Sequence, residues 1–229
     1  DRVCDLYYVT ITPGDYFPDI WIGRLPAQTA AQATAMVTKT VDFERVNWSS
    51  GTLWAEMAYF MASADGGFHG VAEGTHQYCM AICRSYGMTC DSLWLWYGTG
   101  TPFSTAVNGG RIQAIFSGHG SETSCEAYSA SDILALTNLD KYPWANCFAC
   151  LTGSYDVSEC LGETWVRTAD KGSVAFWGSS TLSYWDEDDI LQRREYDAYF
   201  DSSLTWIAGF TDMAKYLSLI HISEPTRPY

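Results

Sequence analysis

The sequence has few basic residues for its length. Only 13 of its 229 residues are lysine or arginine, against 27 aspartates and glutamates, which gives a formal net charge of −14. A surface this negative repels phosphate backbones, which argues against nucleic acid as a partner. The sequence also has no uninterrupted run of about 18 apolar residues, the length that a membrane-spanning helix needs. No membrane-spanning segment is therefore predicted.

Internal repeats, low-complexity tracts and linkers are also absent, which argues against a division into several domains. Hydrophobic residues make up 47% of the chain and aromatic residues 15%, enough for one sizeable core. No charged-then-apolar leader precedes the segment 5–11, which is predicted to be a strand already in progress, so we expect a fragment of a longer protein. Residues 218–229 resemble the translation of a sequencing adapter and are predicted to be a non-native tail.

Short apolar runs bounded by glycine or proline alternate with segments of helical periodicity along the chain. This alternation is typical of an α/β protein with a largely parallel sheet. The predicted strands are 5–11, 53–63, 92–97, 112–117, 144–150 and 174–178, and the predicted helices are 29–45, 74–86, 129–139, 156–169, 189–200 and 204–216.

Two of the predicted strands end at a reactive residue. The strand 112–117 runs into Gly118-His119-Gly120, and the strand 144–150 ends at Cys150. Ligands bind at the carboxyl ends of parallel strands in open α/β sheets, and two adjacent strands would place His119 beside Cys150. A general base next to a thiol predicts a cysteine-nucleophile hydrolase, with the N–H groups of Gly120 and Cys150 as oxyanion donors.

The spacing of Cys147 and Cys150 also permits a redox or zinc interpretation. That interpretation is weaker, because the pair lies within a predicted strand, where alternation places the two side chains on opposite faces. No second pair of suitably spaced ligands completes a zinc site. Most of the other cysteines are predicted to be core residues.

Four segments in order resemble the gingipain-like cysteine peptidases of the caspase-like clan: Gly118–Thr123, Cys150–Gly153, Cys160–Glu163 and Tyr184–Asp188. The resemblance runs from about residue 5 to residue 216. It implies a caspase-like three-layer α/β sandwich, with a mostly parallel central sheet flanked by helices. Residues 1–217 would then form a catalytic domain that is incomplete at both ends.

By this resemblance, Cys150 is the nucleophile and His119 is the general acid and base. Gly120 contributes an oxyanion N–H, and Asp65 falls where relatives can carry an acid that orients the histidine. A turn aspartate before two glycines remains an alternative interpretation of Asp65.

The resemblance also implies a set of substrate contacts. Trp185 matches an aromatic residue that lines the specificity pocket, and Ser121 and Glu122 follow the catalytic histidine. The best-known relatives bind arginine or lysine with an acid at the bottom of that pocket, and ungapped counting from Asp65 places His76 there. Since a cationic side chain needs a carboxylate partner when it is buried, basic specificity is not predicted.

An acidic cluster begins at Asp186 and continues through Glu187 and Asp188. Clustered carboxylates can hold Ca²⁺, and relatives are often stabilised by it, so a structural calcium is a candidate. The alternative is a solvated helix N-terminus, where the helix dipole favours acidic residues. No cofactor is predicted to be required.

The residues together predict a secreted or surface-bound bacterial cysteine endopeptidase. It would act on protein or peptide substrates through a thioester acyl-enzyme, and parts of its parent chain would be missing on both sides. Two alternatives remain open. One is a cell-surface transpeptidase of the same family, a sorting enzyme that passes the acyl group to an amine. The other is an inactive binding or scaffold protein on the same fold.

Overall fold

A computed structural model describes residues 5–12, 14, 17–45 and 51–223 of the chain. Its centre is a six-stranded sheet in the order β3-β2-β1-β4-β5-β6. All neighbouring strands run parallel except β2 and β3, which are antiparallel. The strands are β1 (Met57–Ala62), β2 (Thr89–Trp94), β3 (Thr99–Gly100), β4 (Gln113–Ser117), β5 (Trp144–Phe148) and β6 (Ala175–Gly178).

Seven α-helices accompany the sheet in the described part of the chain. They are α1 (Ala30–Arg45), α2 (His69–Ser85), α3 (Phe103–Gly109), α4 (Ala130–Leu134), α5 (Leu161–Arg167), α6 (Trp185–Asp201) and α7 (Ile207–Ser223). None of these helices is long and apolar enough to cross a membrane. The predicted α/β class with a mostly parallel sheet is confirmed.

The layers follow from the alternation of side chains along β1. Phe60 points to one face of the sheet, where it packs with Tyr196 of α6 and the buried side of α2. Tyr59 points to the other face, into a core shared with Phe103 of α3 and Trp165 of α5. Both faces are covered by helices, which is why the central strands are mostly apolar and buried along nearly their whole length. The result is the predicted three-layer arrangement.

Several predicted elements differ from the structure. The strands predicted at 53–63 and 92–97 are the shorter β1 and the earlier β2, with 3-10 helices at Leu53–Glu56 and Leu95–Tyr97, and the helix predicted at 74–86 begins earlier, at His69. The segment 5–11 is not a strand: Leu6–Tyr8 form a short 3-10 helix, and the side chains of Tyr7 and Tyr8 are exposed. The helices predicted at 129–139 and 156–169 are the shorter α4 and α5: the capping box at Cys160 makes α5 begin later than predicted, whereas α4 begins after Ser129 and ends early, at Leu134.

Helix α7 extends past its predicted end to Ser223, six residues into the segment 218–229. The non-native origin of that segment stays a prediction.

A layer of buried polar side chains lies between α6 and the sheet. Glu195 has 0% of its surface exposed and accepts a hydrogen bond from Asn146 Nδ2 at 2.7 Å. Close by, the Tyr196 hydroxyl donates to Gln113 Oε1 at 2.5 Å. Burial raises the pKa of Glu195 well above its ordinary value, so this side chain is held in its neutral form.

We expect Glu195→Gln to flatten the dependence of stability on pH. The folded protein keeps a proton on Glu195 that the unfolded chain releases above about pH 4.5, so the wild type loses unfolding free energy as pH rises. Glutamine is neutral at every pH and can still accept the bond from Asn146. The free energy of unfolding, measured with urea, should be similar for the wild type and Glu195→Gln at pH 4. At pH 8 it should be higher for Glu195→Gln.

The exposed Glu187→Gln provides the control, because the two carboxylates lie on the same helix. Parallel stability profiles for the wild type and Glu195→Gln would show that Glu195 is charged in the folded protein.

Candidate active site

The parallel pairing of β4 and β5 brings two loops together at the carboxyl edge of the sheet. Ser117 pairs with Phe148 at the end of this ladder, and the N–H of Gly118 donates to the Phe148 carbonyl at 3.1 Å. His119 and Cys150 each lie two residues beyond this last pair. A Cβ on Gly120 would lie 2.9 Å from the carbonyl oxygen of Cys150, so the two loops are in direct contact and only glycine fits there.

Asp65 holds the imidazole of His119. Its Oδ2 lies 2.8 Å from His119 Nε2, and its Oδ1 accepts the backbone N–H groups of Gly67 and Phe68 at 2.7 and 3.0 Å. The hydrogen bond from His119, aided by these backbone donors, lowers the pKa of Asp65. Because Asp65 occupies Nε2, proton exchange with the thiol and the substrate has to use Nδ1 of the ring.

Glu126 supports both members of this pair, and sequence reasoning missed it. Its Oε2 accepts the backbone N–H of His119 at 3.2 Å and the Ser63 hydroxyl at 2.5 Å. Ser63 Oγ in turn accepts the backbone N–H of Asp65 at 3.0 Å. A Cβ on Gly118 would lie 2.6 Å from Glu126 Oε2, so the carboxylate fits only beside a glycine. No periodicity marks Glu126, which lies in an irregular loop.

Cys150 sits at a sharp turn just past the end of β5. Its Sγ accepts the backbone N–H of Ser183 at 3.4 Å and lies 3.5 Å from the Ser183 carbonyl oxygen. The next residue, Leu151, has φ +62°, a left-handed conformation that is costly for a bulky side chain and that reverses the chain immediately after the thiol. Its N–H donates to Thr181 at 2.9 Å, which fixes the turn.

The backbone N–H of Gly120 stays out of the neighbouring hydrogen-bond ladder. Gly120 forms an isolated antiparallel bridge with Cys125. The two hydrogen bonds of this bridge are made by the flanking residues: the Ser121 N–H donates to the Ser124 carbonyl, and the Glu126 N–H donates to the His119 carbonyl. The Gly120 N–H therefore suits the predicted role of oxyanion donor.

Trp185, the first residue of α6, lies against the histidine. Its ring stacks on Phe68 with centroids 5.3 Å apart and meets the His119 ring edge-on, also at 5.3 Å. Trp185 also lines a small pocket between α2 and α6, which Gly118 of the histidine loop lines as well. The other residues that line this pocket are Val71, Ala72, Thr75, Ser117, Phe148, Asp188, Asp189 and Gln192.

Two carboxylates on α6 reach this pocket. Asp189 accepts the Thr75 hydroxyl and pairs with Arg193 at 2.8 Å, so its charge is compensated. Burial raises the pKa of Asp188 to about 6, a hydrogen bond from the Ser183 side chain opposes this shift, and the charge of Glu187 adds a smaller increase. Counting along the sequence reached His76 on α2, whereas the carboxylates that line this pocket belong to α6.

Three other predicted substrate contacts lie away from the pocket surface. His76 has 0% of its surface exposed and sits behind Ser117, with Nε2 2.9 Å from Ser117 Oγ. Ser121 bonds to Ser124 within the histidine loop, and the carbonyl of Glu122 accepts the Leu161 N–H at 2.6 Å. Direct contact of these three residues with substrate stays a prediction.

The acidic first turn of α6 does not gather its carboxylates. Asp186 and Glu187 are exposed, whereas Asp188 turns toward the pocket. Within the described residues, no three histidine, cysteine, aspartate or glutamate side chains are grouped so as to hold a metal ion. This turn therefore does not fit a calcium ion as it stands, and a structural calcium stays a prediction.

The model of peptidase family C25 matches residues 1–224. The chain belongs to peptidase family C25. It is 31% identical to Lys-gingipain of Porphyromonas gingivalis over 194 residues, which is 82% of this chain and 11% of that protein. It is 29% identical to gingipain R2 of the same organism over 196 residues, covering 79% of this chain and 26% of the relative. The chain thus spans a small part of the curated relatives that it matches.

Solved structures give the same result for the fold. A structure described as a protease superposes with a TM-score of 0.87 and 26% identity, covering 100% of this chain and 55% of the other. The crystal structure of the Arg-specific cysteine proteinase gingipain R gives a TM-score of 0.81 and 22% identity, covering 94% of this chain and 54% of the other. The predicted gingipain resemblance and caspase-like architecture are confirmed.

We expect Cys150 to be the most rapidly alkylated cysteine of the folded protein. Iodoacetamide labelling across pH 5–9, mapped by peptide mass, should show fast reaction at Cys150 on the acidic side, because a neighbouring imidazolium stabilises the thiolate. His119→Ala should remove the acidic-side labelling, and Asp65→Asn should slow it by roughly tenfold by leaving the ring poorly oriented.

The buried Cys147 and Cys160 of the same chain serve as internal controls. Labelling of Cys150 no faster than these two would contradict a His-activated thiol.

Proposed function

We propose that this chain is the catalytic part of a cysteine endopeptidase, with Cys150 as nucleophile and His119 as general acid and base. Membership of peptidase family C25 supports the reaction class. The observation that carries the assignment is the hydrogen bond between Asp65 and His119, because Gly120 of the histidine loop packs directly against the backbone of Cys150. By the same resemblance, we propose that the parent protein acts outside the cell or at its surface.

The geometry supports an acyl-transfer sequence of two steps. His119 Nδ1 takes the proton of the Cys150 thiol, and the thiolate attacks the scissile carbonyl carbon while the N–H groups of Gly120 and Cys150 bind the oxyanion. The C–N bond breaks as His119 protonates the leaving amine, which leaves a thioester on Cys150. Water then gives a proton to His119 and attacks the thioester, releasing the acid and the thiol.

We further propose that the residue before the scissile bond is cationic. Asp189 is already paired with Arg193, whereas the hydrogen bond from the Ser183 side chain does not offset the burial that raises the pKa of Asp188. An ammonium or guanidinium entering the pocket would supply a charged partner. The names of two relatives, Lys-gingipain and an Arg-specific gingipain, are in line with such a pocket.

Asp188→Asn should reduce the preference for cationic residues. We expect kcat/KM for fluorogenic peptides that end in lysine to fall at least tenfold, because the buried cation loses its counter-charge. Peptides with the neutral isostere norleucine should be cut as before. Asp186→Asn, in the same turn but exposed, is the matched control. Equal lysine-to-norleucine ratios in the wild type and Asp188→Asn would contradict the role of Asp188.

The same carboxylate predicts a pH dependence of substrate binding. Asp188 takes up a proton as pH falls through about 6, so the wild-type KM for lysine peptides should rise below that pH. The KM for norleucine peptides should stay constant over this range, and Asp188→Asn should show no such rise with either substrate. A flat wild-type KM for lysine peptides between pH 5 and pH 8 would show that the pocket acid does not titrate there.

Product analysis separates the proposal from its rivals. A hydrolase releases the free carboxylic acid even when an amine such as glycinamide is added, whereas a transpeptidase gives mainly the new amide. A scaffold protein gives neither product, although it can bind the peptide. Mass spectrometry of the products with and without the added amine therefore decides among the three.

A further inference from the structure

We propose that His76 and Gln192 are positioning residues that fix the hydroxyl proton of Ser117, so that the pocket presents Ser117 to substrate only as an acceptor. The inference rests on the proposed cleavage after cationic residues and adds specificity-determining residues that do not themselves touch the substrate. It gives His76 an indirect role in place of the direct contact predicted from the sequence.

Ser117 occupies the point where the pocket meets the sheet. It is the last residue of β4, it lines the pocket, and 6% of its surface is exposed. Its Oγ lies 2.9 Å from His76 Nε2 and 2.8 Å from Gln192 Oε1. These two partners belong to α2 and α6, the two helices that form the pocket walls, so the hydroxyl is bonded from both sides.

The proton on His76 can be placed by counting donors and acceptors. Its ring lies near the rings of Phe60 and Trp94, and burial lowers its pKa to about 3, so the imidazole is neutral and carries one N–H. His76 Nδ1 is buried and has no hydrogen-bond partner among the described residues. Ser117 gives its single hydroxyl proton to Gln192 Oε1, so its contact with His76 requires the imidazole proton on Nε2, which donates to Ser117.

This assignment determines what Ser117 can offer to a ligand. A serine hydroxyl has one proton and two lone pairs. The proton goes to Gln192 Oε1 and one lone pair accepts from His76, so a single lone pair is left for the pocket.

An acceptor oxygen near the Asp188 carboxylate suits a lysine ammonium, which has three donors and no acceptor. A glutamine side chain can donate to these acceptors through its NH2 group, but Ser117 offers no donor for its carbonyl oxygen, and burying that oxygen without one is unfavourable. The bonded hydroxyl therefore adds discrimination against neutral amides to the charge preference that Asp188 supplies.

His76→Phe tests this role because it removes the donor and keeps a flat ring. The Ser117 hydroxyl can then turn its proton toward the pocket. For lysine peptides we expect KM to rise roughly tenfold with kcat little changed, since one hydrogen bond to a charged group is weakened. For glutamine peptides kcat/KM should rise. His76→Gln keeps an N–H near the position of Nε2 and should preserve the wild-type lysine-to-glutamine ratio.

Gln192→Met provides a second variant that does not depend on the folding of His76→Phe. It removes the acceptor for the Ser117 proton and should lower the ratio of kcat/KM for lysine peptides to kcat/KM for glutamine peptides. The matched control is Gln113→Met, a buried polar residue at the other end of β4 that bonds to Tyr196. It should lower stability without changing selectivity. Iodoacetamide labelling of Cys150 at the wild-type rate would show that each variant keeps its dyad intact.

The outcomes separate the two proposals. Wild-type protein that cuts no peptide, or that does not prefer cationic residues, contradicts the proposed function. The role of His76 and Gln192 is overturned by a different result. In that result the wild-type protein prefers lysine, and both Gln192→Met and any folded His76→Phe keep the wild-type ratio of kcat/KM for lysine and glutamine peptides. A narrowed ratio in those variants, with an unchanged ratio in Gln113→Met and His76→Gln, supports it.

Discussion

The arrangement of the active edge depends on the parallel register between β4 and β5. Ser117 stands opposite Phe148, so His119 and Cys150 emerge at the same height from neighbouring strands. A slip of one residue would turn every side chain of one strand to the other face and would separate the pair. The two loops can approach this closely because position 120 carries no side chain. Backbone pairing thus sets the position of the reactive groups before any side chain contributes.

Three carboxylates surround these groups, and their environments give them different properties. Asp65 accepts hydrogen bonds from His119 and two backbone N–H groups, which lowers its pKa and keeps it charged. Glu126 accepts hydrogen bonds from the His119 backbone N–H and the Ser63 hydroxyl and so holds the histidine loop in place. Asp188 is partly buried, and burial raises its pKa. Desolvation and hydrogen bonding, rather than the high overall negative charge, decide what each acid can do.

The residues that could be located from the sequence are those marked by a local pattern. His119 and Cys150 follow apolar runs that end in glycine-rich loops, and the strand–helix alternation gives the fold. Glu126 could not be located, because its contacts join an irregular loop to two other segments. The segment 5–11 has the composition of a strand, yet strand formation needs a partner that local sequence does not reveal. Ungapped counting along the chain reached His76 on α2, whereas the carboxylates that line the pocket come from α6, far away in sequence.

Helix α6 divides its tasks between successive turns. The first turn carries Trp185 and Asp188 at the pocket, whereas Glu195 and Tyr196 farther along are buried against the sheet. One helix therefore lines the pocket with its first half and seals the core with its second half. Because Trp185 also packs against His119, replacing the first turn would disturb the histidine ring as well as the pocket. For protein engineering, changes at Asp188 that leave Trp185 in place would alter the pocket and spare this contact.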